Sequence, residues 1–307
     1  MTKFRKSHSK SDRGDSWFAR VVIFTTLLIV AAIAAAFYLP SFFNGKANKQ
    51  ASAYSQESNE VDRSGLTPAF HREFLPVSEN KAIIHHDYYS LAYNEEYEQA
   101  DWVAYELTRK ALESKRVPRA KRFNSDPKVK TKSAVHKDYS HSGYTRGHMA
   151  PAGDMGFSSD AMKQCFYMSN MSPQLRACNN GIWKELEETV RDWARKKGSV
   201  YIVTGPLFYD NGTPTIGKND VAVPDAFYKI ILEEGTEKSV SFIIPNELSN
   251  KHLKEYQVSI NDVEDQTGIN FFPSLLDEEA ESEKEIKYWP ISDKKYQQRV
   301  NNWNKQK

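Results

Sequence analysis

The sequence predicts an α+β domain, a mixed central β-sheet flanked by helices, preceded by one N-terminal transmembrane helix. Three observations carry that prediction. Val21 to Leu39 is a run of nineteen residues without a charge, and at about 1.5 Å per residue it nearly spans a ~30 Å hydrocarbon layer. Strand-like stretches rich in β-branched and aromatic residues stand on both sides of a single long helical period. That order, strands then a helix then more strands, belongs to one sheet with helices packed on it.

The elements follow in chain order. Residues 1–20 carry six Lys or Arg against Asp12 and Asp15, a basic tail that the positive-inside rule keeps in the cytoplasm. Residues 21–40 are then a signal-anchor helix, and everything beyond Pro40 lies periplasmic or extracellular. A cleaved signal sequence is the nearer rival, which would make the protein secreted, but no small-x-small site stands just after Leu39 and Ala51-Ser52-Ala53 is far downstream. A buried core helix is the third reading, and the basic flank argues against it. Residues 41–66 are polar and aperiodic, the character of a tether. The folded domain is expected over residues 67–300.

The formal net charge is +2 for the whole chain and +4 for its first twenty residues, leaving the remainder at −2. A protein that coats nucleic acid through its overall charge is thereby excluded; any polyanion site must be a local cluster. Cys165 and Cys178 are the only cysteines. They could pair in an oxidising compartment or remain two buried thiols, and they fall short of a four-thiolate zinc site.

KAIIHHDYYSLAYN reads as strand, turn and strand, and WVAYEL as another strand. Arg109 to Lys132 is a basic, proline-containing loop region. QCFYMSN, residues 164–170, has the density of a short buried strand, which SPQ breaks into a turn. NNGIWKELEETVRDWARKKG places Ile182, Trp183, Leu186, Val190, Trp193 and Ala194 at helical spacing, with basic residues in the last turn and Gly198 as the stop. SVYIVTGPLF, DAFYKIILEE and SVSFIIP are strands. The acidic stretch LLDEEAESEKE is a solvated segment.

The chemistry concentrates in YTRGHMAPAGDM, residues 144–155. Arg146 and His148 are two apart, so on an extended segment both face one side. A histidine, a cation and a divalent metal are the parts that cutting a phosphodiester requires; an Arg-His surface pair is the plain alternative. Asn179, at the mouth of the helix, can offer a carboxamide oxygen to a hard cation or serve as an ordinary N-cap. Glu187 and Arg191, four apart on one flank of the apolar stripe, can face a shared site or form a helical ion pair.

Together GYTRGHMAPAGDM, MSNMSPQ and NNGIWKELEETVR, with WVAYEL, VTGPLF and VPDAFYKIIL around them, resemble the DNA/RNA non-specific endonucleases of the ββα-metal, or His-Me finger, superfamily, over about residues 75 to 295. The resemblance implies a ββα-metal catalytic core. It implies His148 as general base, Asn179 as the direct ligand of a single Mg²⁺ with Mn²⁺ as a substitute, and Glu187 as the carboxylate holding metal-bound water. Arg146 and Arg191 would stabilise the charge on phosphorus, Asn170 would support the site, and Arg122, in KRFNSDP, corresponds loosely to a further phosphate-contacting arginine. The Gly of Arg-Gly-His would let the backbone pass close to the metal, and Pro151 would stiffen the turn after it.

The implied activity is Mg-dependent hydrolysis of DNA and RNA to 5′-phosphate ends, with DNA, RNA and, through the N-terminal helix, a membrane as partners, no small-molecule cofactor, and a homodimer as an open assembly state. One position departs from the family pattern: Thr145 stands where the family has Asp before Arg-Gly-His. The alternatives are a catalytically weakened nucleic-acid-binding domain of the same fold, or a phosphodiesterase for a small substrate.

Overall fold

The computed structural model describes residues 72–77, 83–131, 133–209, 212–277, 280 and 288–304. The expected basic tail, transmembrane helix and tether lie outside the described residues, as does most of the acidic stretch. Among the described residues no helix is long and apolar enough to cross a membrane.

The strands are β1 (Ile83–His85), β2 (Ser90–Asn94), β3 (Gln99–Thr108), β4 (Tyr144–His148), β5 (Met171–Leu175), β6 (Ser199–Leu207), β7 (Thr215–Ile216), β8 (Val221–Ala222), β9 (Ala226–Glu233), β10 (Ser239–Pro245) and β11 (Gln257–Val258). Among the described residues the longer helices are α1 (Arg109–Glu113), α2 (Ser159–Gln164), α3 (Lys184–Lys197), α4 (Ile260–Thr267) and α5 (Asp293–Asn304). The seven-stranded sheet runs β1-β2-β3-β6-β9-β10-β11, and every pairing in it is antiparallel. The expected mixed sheet is therefore corrected to an antiparallel one. The reason is the position of α3 in the chain: it leads into β6, which pairs antiparallel with the earlier strand β3, so no parallel crossover is made.

Strand alternation sends side chains to two faces. On one, Leu91, Val103, Tyr105, Ile202, Phe227 and Ile231 meet Trp183, Leu186, Val190 and Trp193 of the amphipathic helix. On the other, Trp102, Ala104, Val203, Tyr228 and Ile230 meet Ile260 and Val263 of α4 with Phe271. The sheet is thus covered on both faces, and α3 is the element that brings chemistry to the first one.

β4 and β5 form a separate two-stranded ribbon with Tyr144 opposite Leu175 and His148 opposite Met171. With α3 following, this is the ββα unit that the motifs led one to expect. Two local readings are corrected here. QCFYMSN is not a strand: it contains the end of α2, a turn and a 3-10 turn at Met168–Asn170, because Asn170 turns its amide onto the backbone and bends the chain. SPQ does not end a strand but sits inside β5, where a two-stranded ribbon tolerates Pro173. The basic region after residue 108 is also not loop throughout, since Thr108 caps the short helix α1 through Ala111 N.

Candidate active site

His148 ends β4 and is 7% exposed. Phe166 meets its ring edge-on at 4.8 Å between centroids and Phe123 tilts against it at 5.9 Å. Its Nε2 has no hydrogen-bond partner. Burial, and then the positive charge of Arg119, drive the imidazole pKa down to about 3, so at neutral pH the ring is uncharged with a nitrogen uncommitted. The backbone beyond it is held by Asn170: its Oδ1 accepts from Ala150 N at 2.8 Å, its Nδ2 donates to Ala150 O and Cys165 O, and its own carbonyl accepts from Met149 N. A turn closes after it as Asp154 N and Met155 N donate to Pro151 O.

Arg146 faces the same side as His148. Its guanidinium lies between the rings of Phe123 and Tyr139, at 5.5 and 5.3 Å, and Nη2 donates to His136 O at 2.6 Å. Its Nε is buried without a partner. Phe123 therefore touches both members of the Arg-Gly-His pair. A Cβ at Gly147 would run into the side chain of Gln174 on the opposing strand, so the residue also serves packing within the ribbon.

Asn179 is not a helix N-cap. It continues a helical turn at Arg176–Cys178 and begins a wide π-turn at Asn179–Trp183, broken at Gly181, that feeds α3. Its Nδ2 donates to Thr145 Oγ1 at 2.8 Å, and that hydroxyl donates to Gln174 O at 2.8 Å. A hydroxyl whose proton is spent on a carbonyl can only accept from a further partner. This fixes which way the carboxamide points and turns its Oδ1 away from Thr145.

On α3, Arg191 Nη1 binds Asp154 at 2.9 Å, so the expected alternative of a Glu187–Arg191 helical ion pair is replaced by a bridge to the turn after β4. Asp154 is buried and also accepts from Tyr105 Oη at 2.8 Å. Burial pushes the Glu187 carboxyl up to about 7 against the opposing pull of Arg191, with Asp154 raising it further and Lys229 and Arg119 lowering it. The charge of Arg119 thus falls on both His148 and Glu187, and that of Glu187 reaches Cys178, the neighbour of Asn179. Arg119 is the charge that His148 and Glu187 share, and the Asn179–Thr145 bond ties β4 to the entry of the helix that carries Glu187.

Among the described residues no group of three or more His, Cys, Asp or Glu is assembled as a metal cage. The Asn179 carboxamide oxygen and the Glu187 carboxylate are oxygen donors of the kind a hard cation takes while keeping much of its water. Cys165 and Cys178 are buried free thiols.

A model of the family described as DNA/RNA non-specific endonuclease matches residues 66–278. The chain belongs to that family. Among similar proteins are the mitochondrial nuclease EXOG of Xenopus laevis, 37% identical over 66% of this chain and 60% of the relative, and nuclease C1 of Cunninghamella echinulata var. echinulata, 39% identical over 61% and 81%. Mitochondrial endonuclease G of Homo sapiens is 32% identical over 61% and 68%. The chain spans about three fifths of the length of the EXOG relatives it matches. A crystal structure of EndoG in complex with EndoGI superposes with a TM-score of 0.63 at 30% identity, over 71% of this chain and 95% of that one.

In this member of the family, the residues expected from sequence are held by partners on several elements. Asn170 holds the backbone beyond His148, Asn179 is bonded to Thr145, Arg191 to Asp154, and Arg146 is stacked on two rings and bound to His136 O, while Glu187 and His148 share the charge of Arg119. Arg122 is exposed in the basic loop, and Arg119, three residues earlier, is the arginine that bears on the site; it stands 5.0 Å above the Phe166 ring. Sequence reasoning missed Asp154, Tyr105 and Lys229. Asp154 lay within the quoted motif, and Lys229 was legible as the one charge inside an otherwise apolar strand.

Proposed function

We propose that the protein is a divalent-metal-dependent endonuclease that hydrolyses phosphodiester bonds of DNA and RNA with little regard to base, leaving 5′-phosphate ends. The observation that carries this reading is the buried, uncharged imidazole of His148 with a free Nε2, at the end of a strand that the Asn179–Thr145 hydrogen bond ties to the helix entry. His148 takes the proton of the attacking water. Asn179 Oδ1 and Glu187 are the groups that would hold Mg²⁺ and its water shell, and the ion would supply charge neutralisation at the phosphate and the departing 3′ oxygen. Arg191, locked by Asp154, and Arg146, stacked on two rings, present fixed positive charge with little reorganisation. Contacts to phosphate and metal carry no base information, which supports the lack of sequence preference.

The N-terminal run supports a single-pass anchor with the enzyme domain, residues 67–300, on the periplasmic or outer side. Purified protein should nick supercoiled plasmid and degrade RNA with Mg²⁺ and lose both activities in EDTA. His148→Ala should lower the rate by about 10²–10⁴-fold, the usual worth of a positioned general base. A variant that cuts as fast as the parent removes His148 from the chemistry.

A further inference from the structure

After α1 the chain runs as an irregular loop. From Lys121 to Lys128 every residue is exposed except Phe123, which is partly buried, and Asp126, which is 3% exposed. A carboxylate is costly to bury unless its acceptor positions are filled. Those of Asp126 are filled from separate segments. Its Oδ2 lies 2.8 Å from Nε2 of His86, in the turn between β1 and β2, and accepts from Ser169 Oγ, while Oδ1 accepts from Lys128 N at 2.8 Å. The N–H of Asp126 donates to Ser133 Oγ. His86 is itself buried, its ring tilted against those of Tyr89 and Tyr167 at 4.7 and 5.2 Å.

Ser169 precedes Asn170, the residue that holds the backbone beyond His148. The loop and this stretch run side by side: Asn124 N donates to Phe166 O at 3.2 Å and Met168 N to Asn124 O at 2.8 Å, a parallel bridge between Asn124 and Tyr167. At one end of the bridge stands the Asp126–Ser169 bond. At the other, three residues earlier on each segment, the rings of Phe123 and Phe166 meet at 4.9 Å, and both lie against His148. Two backbone bonds in an exposed segment open readily. The buried carboxylate gives the loop its second point of attachment.

We infer that Asp126 is a positioning residue of the active site: it clamps the loop to Ser169 and His86, and the clamped loop sets Phe123 against the His148 imidazole. The inference rests on the reading of His148 as general base given above. Asp126 touches neither substrate nor reacting atoms, and its effect passes through the Phe123 ring, one of the two that hold the imidazole. A base must stay within hydrogen-bond reach of the proton it takes, and a misplacement on the order of 1 Å costs up to about 10²-fold in rate.

The test is a double-mutant cycle of Asp126→Ala and Phe123→Ala in the full chain. Each substitution should lower kcat on plasmid with Mg²⁺ by about 10–100-fold, with KM changed less than about threefold. Because both act on one ring, the double variant should be within about twofold of F123A, whereas independent losses would multiply. A second reading needs no turnover: in metal-free, histidine-labelled protein, the His148 ring-proton resonance, identified by its loss in His148→Asn, should move in the same sense in D126A and F123A as the Phe123 ring leaves it. Should D126A fail to fold, Ser169→Ala, which removes one bond of the clamp, carries the same cycle and the same spectrum. Parental kcat in the folded clamp variant or in F123A, losses that multiply, or an unmoved His148 resonance would each overturn the inference while leaving the nuclease reading intact. Full activity in H148A would instead overturn that reading.

Discussion

At the scale of single residues, Thr145 shows how a departure from the family's charge pattern is absorbed. The hydroxyl cannot supply a negative charge, yet it does the orienting work an acceptor must do, because its own proton is committed to Gln174 O and only its lone pairs face Asn179. Thr145→Val keeps the shape and removes that acceptor. Its expected effect is a rise of about 10–100-fold in the Mg²⁺ concentration for half-maximal rate, the range for lost groups that orient a ligand, read from activity against Mg²⁺. His148 makes a separate prediction about acid. Its folded pKa is about 3 against an ordinary 6.5, so between those values the unfolded chain holds the extra proton and acidification removes native stability. Glu187, raised to about 7 from 4.5, has the opposite sign: the folded form holds the extra proton between 4.5 and 7, and acidification adds stability there. In urea melts from pH 6.5 to 4, His148→Asn should lose less stability than the parent and Glu187→Gln more. Identical slopes in all three proteins would remove the buried imidazole as the acid-sensitive group.

At the scale of elements, the β4–β5 ribbon and the helix entry do the positioning. Gly147 has a backbone any residue could adopt; what it lacks is room, since Gln174 fills the space a Cβ would take. Gly147→Ala should cost about 1–3 kcal/mol, as overpacking does, seen as a lower urea midpoint with the m-value unchanged. What the sequence made legible follows from period. The strands of the main sheet and the helix through Trp183, Leu186, Val190 and Trp193 repeat apolar residues at intervals that only one backbone satisfies. The reading failed where side chains bend the backbone. QCFYMSN has the composition of a strand, yet Asn170 spends its amide on three backbone partners, and no local pattern announces that. The same limit hid Asp154 and Lys229, whose partners stand on other elements and are brought near only by the finished sheet. The Arg-His pairing on one face, by contrast, needed nothing beyond strand alternation.

At the scale of the whole molecule, the sheet sets where charge can be buried, and the C-terminal helix completes the arrangement. Arg299 of α5 donates from Nε to Glu185 at 2.6 Å and from its Nη atoms to the carbonyls of Ser249 and Lys251. Both side chains of the pair are nearly sealed, 10% and 3% exposed, so removing one leaves an unmatched buried charge. Arg299→Ala should destabilise by about 3–5 kcal/mol, and Glu185→Ala in the same chain should recover part of that loss, both measured by urea unfolding; simple additivity of the two would argue against a shared bond. Glu185 sits two residues before Glu187, in the first turn of α3. A growing polypeptide that has not yet delivered residue 299 leaves the Glu185 carboxylate without this partner, so the first turn of α3 gains its buried counter-ion only near the end of synthesis.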